Sequence, residues 1–290
     1  MKRYKKEHDG KLEVGQILYT KRYILTLDRD LCKGCELCAC VCPRGAVTII
    51  PSDDREGKAS PARIDVDENK CDFHGICAAV CPFNAIKITM NGTAELPAVN
   101  REAFPELLRD IEAHTEKCEP GCTKCEEACP IGIVSVALPK GAGETSVEVK
   151  KEFCAGCGVC WAACPTGAIE VTKFIEGSID IDAGTCPDGC RRCLDVCPVG
   201  ALALDENNKV AARDMYCIYC GACRQVCPEE GALTIRRTAI RHTPIKSGAW
   251  NKGLEKLTST EGLMRELAAV RGARTRDAII NIIHSEESTK

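Results

Sequence analysis

Short runs in which apolar and polar residues alternate recur along the chain: Tyr23-Ile24-Leu25-Thr26-Leu27, Arg63-Ile64-Asp65-Val66, Ser146-Val147-Glu148-Val149 and Ser178-Ile179-Asp180-Ile181. Period two is the signal of a strand buried on one face. Each run leads into a stretch rich in cysteine that closes on Cys-Pro, and after most of these comes a turn and a second alternating run. Examples are residues 44–49, 166–171 and 199–204. The repeating unit therefore reads strand, cysteine loop, one helical turn, strand, which predicts an α+β fold of short strands and short helices. Beyond residue 237 the pattern changes. Leu263, Met264, Leu267 and Val270, then Ile279, Ile280, Ile282 and Ile283, are spaced as on helices. A helical tail over 238–290 is expected, packed on the chain's own core or clamping a partner subunit.

The cysteine loops form six groups. Cys32, Cys35, Cys38 and Cys42 precede Pro43 with the spacing C-x2-C-x2-C-x3-C-P, repeated by Cys154, Cys157, Cys160 and Cys164 and by Cys217, Cys220, Cys223 and Cys227. Two groups are longer by one residue: Cys118, Cys122, Cys125 and Cys129, and Cys186, Cys190, Cys193 and Cys197. The remaining group, Cys71, His74, Cys77 and Cys81, has histidine where its siblings have their second cysteine.

This count, 24 cysteines in 290 residues, belongs either to a disulfide scaffold or to metal ligation. The chain opens on charged and polar residues without the apolar run of a secretory signal, and no stretch approaches the roughly 18 apolar residues of a membrane span. A soluble, intracellular and cytoplasmic protein is expected, in a compartment where thiols stay reduced. Aromatic residues make up only 4 % of the chain, so ordinary packing is thin and bound metal is expected to help the modules fold.

Zinc sites usually present two C-x2-C pairs separated by a longer spacer, whereas here four ligands crowd into one loop. The C-x3-C-x2-C reading of Cys118, Cys122 and Cys125, or of Cys186, Cys190 and Cys193, resembles a radical-SAM motif, but both belong to the repeat and carry the additional Cys-Pro. Three thiolates at steps of three suit one face of an iron-sulfur cube. A fourth, four residues on, points toward a neighbouring cube.

On these residues the chain resembles a polyferredoxin built from tandem bacterial-type dicluster modules, over about residues 22–237. The resemblance implies modules at 22–93, 108–175 and 177–237, between an N-terminal arm, 1–21, and a docking tail, 238–290. It also implies six 4Fe-4S clusters with crossed ligation. Cys32, Cys35, Cys38 and Cys81 would form one set, and Cys71, His74, Cys77 and Cys42 its partner. Cys118, Cys122, Cys125 and Cys164 would pair with the set Cys154, Cys157, Cys160 and Cys129. Cys186, Cys190, Cys193 and Cys227 would pair with Cys217, Cys220, Cys223 and Cys197. The segment AVNREAFPELLRDIEAHTEKCEPGCTKCEEACP and the phrase CAAVCPFNAI resemble the F subunits of formylmethanofuran dehydrogenases from methanogens. That resemblance implies a relay of electrons toward CO2 reduction, with subunits of formylmethanofuran dehydrogenase and heterodisulfide reductase as partners. A polyferredoxin of a hydrogenase or heterodisulfide reductase complex is the alternative.

Two positions depart from the repeat. His74 aligns with the second cysteines of its siblings, since Gly75 follows it as Gly158 and Gly221 follow theirs. It is expected to ligate iron, replacing a charged thiolate by a neutral imidazole, with a 3Fe-4S cluster whose corner is empty, or a bystander histidine, as the alternatives. Cys40 is left over. A two-residue step on a helical turn rotates it by about 200° from Cys42, which suits a small buried side chain rather than a ligand.

The formal charge is −3; twenty-three ligating thiolates and six cores of charge 2+ would take it to −14. Residues 1–30 and 238–290 each carry an excess of three basic residues. Basic ends on an acidic centre suit docking arms or charge compensation, not a nucleic-acid surface. No nucleotide loop or nucleophile constellation is present. An electron-transfer subunit without catalysis of its own is therefore expected, over an enzyme that uses the His74 cluster as a catalytic centre.

Overall fold

A computed structural model describes residues 1–51, 58–137, 145–246, 253 and 256–258. The apolar positions 263–270 and 279–283 of the expected helical tail lie outside the described residues.

The chain begins with a hairpin, β1 (Lys2–His8) and β2 (Lys11–Ile17), closed by Asp9 and Gly10, both at positive φ. A two-residue Asp-Gly loop suits the right-handed twist of the strands it joins. The expected arm is thus folded, and it extends the sheet of the first cysteine module. Tyr4 lies opposite Gly15, where a Cβ would meet the Tyr4 ring at 2.2 Å, so the ring covers bare backbone. The Tyr4 hydroxyl donates to Glu13 Oε1 at 2.8 Å.

The first module then runs β3 (Arg22–Asp28), α1 (Leu37–Val41), β4 (Val47–Ile50), β5 (Arg63–Val66), α2 (Ile76–Ala79) and β6 (Ile86–Met90). Its outer strands β3 and β6 pair antiparallel, as do the inner strands β4 and β5. A short β7 (Thr93–Ala94) completes a five-stranded sheet in the order β1-β2-β3-β6-β7. Leu12, Val14, Leu25, Leu27, Ile86 and Ile88 turn inward at every second position and are buried. A linker helix α3 (Pro97–Asn100), with Pro97 at its first position, leads to the second module.

The second module repeats the order as β8 (Asp110–Ala113), α4 (Lys124–Ala128), β9 (Val134–Ala137), β10 (Ser146–Val149), α5 (Val159–Ala163) and β11 (Ile169–Thr172). The third does so as β12 (Ile175–Ile181), α6 (Arg192–Val196), β13 (Leu202–Leu204), β14 (Val210–Ala212), α7 (Ala222–Val226) and β15 (Leu233–Ile240). In both, first pairs with last and the middle two pair with each other. Each module is a β-α-β-β-α-β ferredoxin-like unit. The α+β class and the three tandem dicluster modules expected from the sequence are the observed architecture.

The modules do not form a linear string. One continuous core joins the first and third modules and takes in Ala155 and Cys157 of the second, while Ile111, Ile133, Val134 and Ile169 centre a small separate core in the second. Lys256 donates to the Cys42 carbonyl at 3.2 Å and Leu257 is buried, so this described part of the tail packs on the chain's own body.

Candidate iron-sulfur sites

The β-α-β-β-α-β order places the fourth cysteine of each half-module beside the first three of the other half. Cys32, Cys35, Cys38 and Cys81 surround about 300 Å³ of space free of protein atoms, walled by Leu27, Leu37, Ile64 and Phe83. Cys42, Cys71, His74 and Cys77 line a second such space of about 280 Å³. Cys197, Cys217, Cys220 and Cys223 line a third, of about 320 Å³. The other three sets are drawn together as well. Cys118 lies in the field of Cys122 and Cys164, and Cys125 in that of Cys118 and Cys122. Cys160 lies in the field of Cys157, Cys154 and Cys129, and Cys193 in that of Cys190, Cys186 and Cys227. These groupings coincide with the crossed sets that the resemblance implied.

Among the described residues no three His, Cys, Asp or Glu side chains converge as holders of a single metal ion. The thiols ring a volume instead of meeting at a point, which fits a cube of iron and sulfide better than zinc, whose ligands stand about 2.3 Å from one ion. Burial pushes the Cys35 and Cys38 thiols far up, with neighbouring thiolates adding to the effect, and raises Cys71 and Cys217 to about 11 and Cys220 to about 12. Such thiols ionise only against a strong positive charge, so loading with iron must release protons.

The backbone offers the sulfurs hydrogen bonds in a fixed pattern. Ala46, Ala85, Ile133, Ala168 and Ala201 donate their N–H groups at 3.2–3.5 Å to the sulfur four residues earlier, that of Cys42, Cys81, Cys129, Cys164 and Cys197. The turn Cys-Pro-x-x makes this bond possible, because proline leaves no N–H to compete. After Cys227 the turn is one residue longer, and Ala232 N–H bonds the Glu229 carbonyl instead. A second set of N–H groups, two residues on, reaches the sulfurs of Cys35, Cys157 and Cys220 from Leu37, Val159 and Ala222.

His74 takes part in the same pattern. Its Nδ1 accepts from Ile76 N–H at 3.0 Å, two residues on, as its sibling sulfurs do. A sulfur has lone pairs to spare, but Nδ1 has one in-plane lone pair, so a neutral imidazole in this arrangement carries its proton on Nε2. Nε2 stands 3.5 Å from an Asp72 oxygen. His74 also hydrogen-bonds Cys42; burial opposes ionisation of that thiol, yet the imidazole and the N–H groups of Ala46, Arg44 and Val47 outweigh it and bring Cys42 down to about 7. Cys40 points out of the sulfur-lined spaces and lies near Glu36, Arg237, Arg224 and Lys256.

The sequence offered no sign of how the modules touch. Glu36 N–H donates to the Cys220 carbonyl at 3.2 Å, and its buried carboxylate receives Arg224 Nε at 3.0 Å, Gln225 at 2.8 Å and Arg237 at 2.5 Å. Gly221 is required here: at φ +86°, a Cβ would lie 2.5 Å from the Glu36 carboxyl carbon; Gly34, at φ +62°, is likewise covered within its own module, where a Cβ would lie 2.3 Å from the Ala62 carbonyl oxygen. Arg109 joins the first and second modules, donating to the carbonyls of Cys81 at 3.2 Å and Glu152 at 3.4 Å. Lys173 joins the second and third, donating to the carbonyls of Met215 and Cys217. The contacts between modules thus lie beside Cys81 of the first, Cys154 of the second and Cys217 and Cys220 of the third. A cleft between them is lined by all three modules, among them Leu31, Phe83, Ile131, Phe153 and Pro198.

The sequence matches the family described as the 4Fe-4S dicluster domain over residues 31–85, 117–168 and 185–231. Two uncharacterized ferredoxins of Methanocaldococcus jannaschii are similar to parts of it. One is 35 % identical over 59 residues, 20 % of this chain and 94 % of that protein, and the other 48 % identical over 48 residues, 16 % of this chain and 62 % of that protein. The fold is similar to that of a chain in the formate dehydrogenase, heterodisulfide reductase and formylmethanofuran dehydrogenase complex from Methanospirillum hungatei. The TM-score is 0.78 and the identity 31 %, over 89 % of this chain and 92 % of that one.

Proposed function

From the premise that the chain belongs to the 4Fe-4S dicluster domain family, as a multi-cluster electron-transfer subunit, we propose that it holds six clusters in the six quartets and works as a branched relay in a larger redox complex. The modules are those at 22–93, 108–175 and 177–237. Bound clusters of this kind supply one-electron transfer at potentials set by charge, hydrogen bonds and solvent exposure. The protein's part is to hold thiolates in crossed sets, to aim N–H groups at the sulfurs and to exclude water. The observation that carries the reading is the crossing itself, in which each space is lined by three ligands of one half-module and the Cys-Pro cysteine of the other.

In this reading the three quartets beside the module contacts make the relay branched. Cys32, Cys35, Cys38 and Cys81, Cys129, Cys154, Cys157 and Cys160, and Cys197, Cys217, Cys220 and Cys223 stand at the centre. The other three quartets form the ends. In two of those ends, Cys118, Cys122, Cys125 and Cys164 and Cys186, Cys190, Cys193 and Cys227, three of the four cysteines are partly exposed, against one or two in the central quartets, and these ends suit contact with partner subunits. In the quartet at His74, we read the imidazole as a hydrogen-bond donor to Cys42 beside a three-thiolate 3Fe-4S cluster, because its Nδ1 already accepts from Ile76.

The similarity to a chain of the Methanospirillum complex supports a cytoplasmic assembly of the same type, with formylmethanofuran dehydrogenase and heterodisulfide reductase subunits as partners and CO2 reduction as the process served. Anaerobic affinity purification of the full chain from its source cells, with identification of co-purifying subunits, tests this. Recovery of those subunits is expected; recovery of a hydrogenase alone would overturn the assignment.

A further inference from the structure

Each of the three places where modules meet holds a cation fixed by backbone carbonyl groups next to ligand cysteines. Arg109 binds the carbonyl of Cys81 on one side and that of Glu152, two residues before Cys154, on the other. Lys173 binds the carbonyls of Met215 and Cys217, while its own chain lies against the 154–160 loop, with its Cε 4.0 Å from where a Gly158 Cβ would be. Arg237 donates to the Tyr219 carbonyl at 2.8 Å, between Cys217 and Cys220, and to Glu36, which follows Cys35. Arg237 and Glu36 are both buried, and Arg224 brings a second guanidinium to the same carboxylate.

The arrangement answers an electrostatic difficulty. Four thiolates around a 2+ core leave a formal double negative charge, and an added electron makes it triple. Two such sites facing each other across a protein interior repel more strongly than they would in water. Cys35 lies in the field of Cys220 of another module, and each bridging cation stands in the field of thiols from two modules, Arg109 in that of Cys81 and Cys154 and Lys173 in that of Cys157 and Cys217.

We propose that Arg109, Lys173 and Arg237 are positioning and tuning residues for electron transfer between modules. Each offsets the repulsion between the two anionic sites it touches and so keeps the crossing both close and reducible. The proposal rests on the reading of the quartets as cluster sites. It adds that the path between modules is controlled by these three side chains. Their carbonyl contacts fix where the charge sits, so a cation of different length at the same position restores the charge but not the full geometry.

The test uses the full chain, loaded with iron and sulfide under anaerobic conditions, and two variants at half-buried positions, Arg109→Met and Lys173→Met, with Arg109→Lys and Lys173→Arg as conservative controls. Iron per chain is measured first, then midpoint potentials by EPR-monitored redox titration. With iron content unchanged, each Met variant is expected to move two midpoint potentials to more negative values and leave the others in place. The two variants share one affected site, that of Cys154, Cys157 and Cys160. The conservative variants should return most of the shift. Unmoved potentials in both Met variants at wild-type iron content, or an equal shift of every site, would overturn the proposal. A wild-type chain that takes up no iron would instead overturn the reading beneath it. Arg237→Met is a further variant, whose failure to fold leaves the other two decisive.

Discussion

The two stretched cysteine groups and their unstretched siblings build different sites. In the stretched groups, Cys118-Glu119-Pro120-Gly121-Cys122 and Cys186-Pro187-Asp188-Gly189-Cys190, the first two cysteines are partly exposed, and a Cβ at Gly121 or Gly189 would meet nothing within 4 Å. In the unstretched groups the residue at that place is covered: a Cβ at Gly34 would strike the Ala62 backbone, a Cβ at Gly156 would touch the Thr172 carbonyl oxygen at 3.5 Å, and Tyr219 is buried. One extra residue lets the loop bulge into solvent, whereas the shorter loop lies under other parts of the chain. Loop length thus separates the two quartets open to partners from the four whose loops are covered, three of them beside other modules and the fourth, at His74, within its own.

The largest effect that can break this contrast is steric. Gly34→Ala forces both a left-handed alanine and an overlap with the Ala62 backbone, and is expected to destabilise the chain by about 3 kcal/mol or more. Gly121→Ala carries only the backbone strain, about 1 kcal/mol. Denaturant unfolding of the loaded protein measures both; equal losses would remove the distinction.

Solvent access gives the next effect. On treatment with a chelator in limited oxygen, the open quartets at Cys118 and Cys186 should lose iron first, so that about a third of the total is released in an early phase. A single phase for all the iron would contradict the contrast.

The His74 site then sharpens it from the closed side. His74→Cys should raise the iron content by about one per chain and lower one midpoint potential, because a thiolate adds negative charge where an imidazole only donated a hydrogen bond. An unchanged iron count with a shifted potential would mean that His74 is itself a ligand. The smallest effect on stability is expected for Trp161→Ala. This side chain is 51 % exposed on α5, three residues before Cys164 of the open quartet. Stability should change by no more than about 0.5 kcal/mol, while affinity for a partner seated there, measured by calorimetry, should fall as for an aromatic anchor.

Much of the site was legible because its ligands are local in sequence. Spacing placed Cys32, Cys35 and Cys38 on one loop, and the alternation of residues 63–66, 146–149 and 178–181 gave strands that the structure contains. The N-terminal hairpin was missed although Asp9-Gly10 is a strong turn signal, because β1 carries four basic residues among its seven and its alternation is faint. β14, at Val210–Ala212, is too short to show a period, and β8, Asp110-Ile111-Glu112-Ala113, does alternate but lies in a linker with no second alternating run beside it. The meeting of the modules could not be read at all: Glu36 and Arg237 are 201 residues apart, and nothing local marks either as a partner of the other. Likewise His74 could be aligned with cysteines, but whether its Nδ1 faced iron or a backbone N–H depended on the fold of residues 74–76.

The most direct measurement is iron and acid-labile sulfide per chain after anaerobic loading of the full-length protein. Six quartets predict about 24 of each, or about 23 irons if the His74 site holds three, with EPR signals of interacting clusters on reduction. About four irons per chain, or metal without sulfide, would contradict the account.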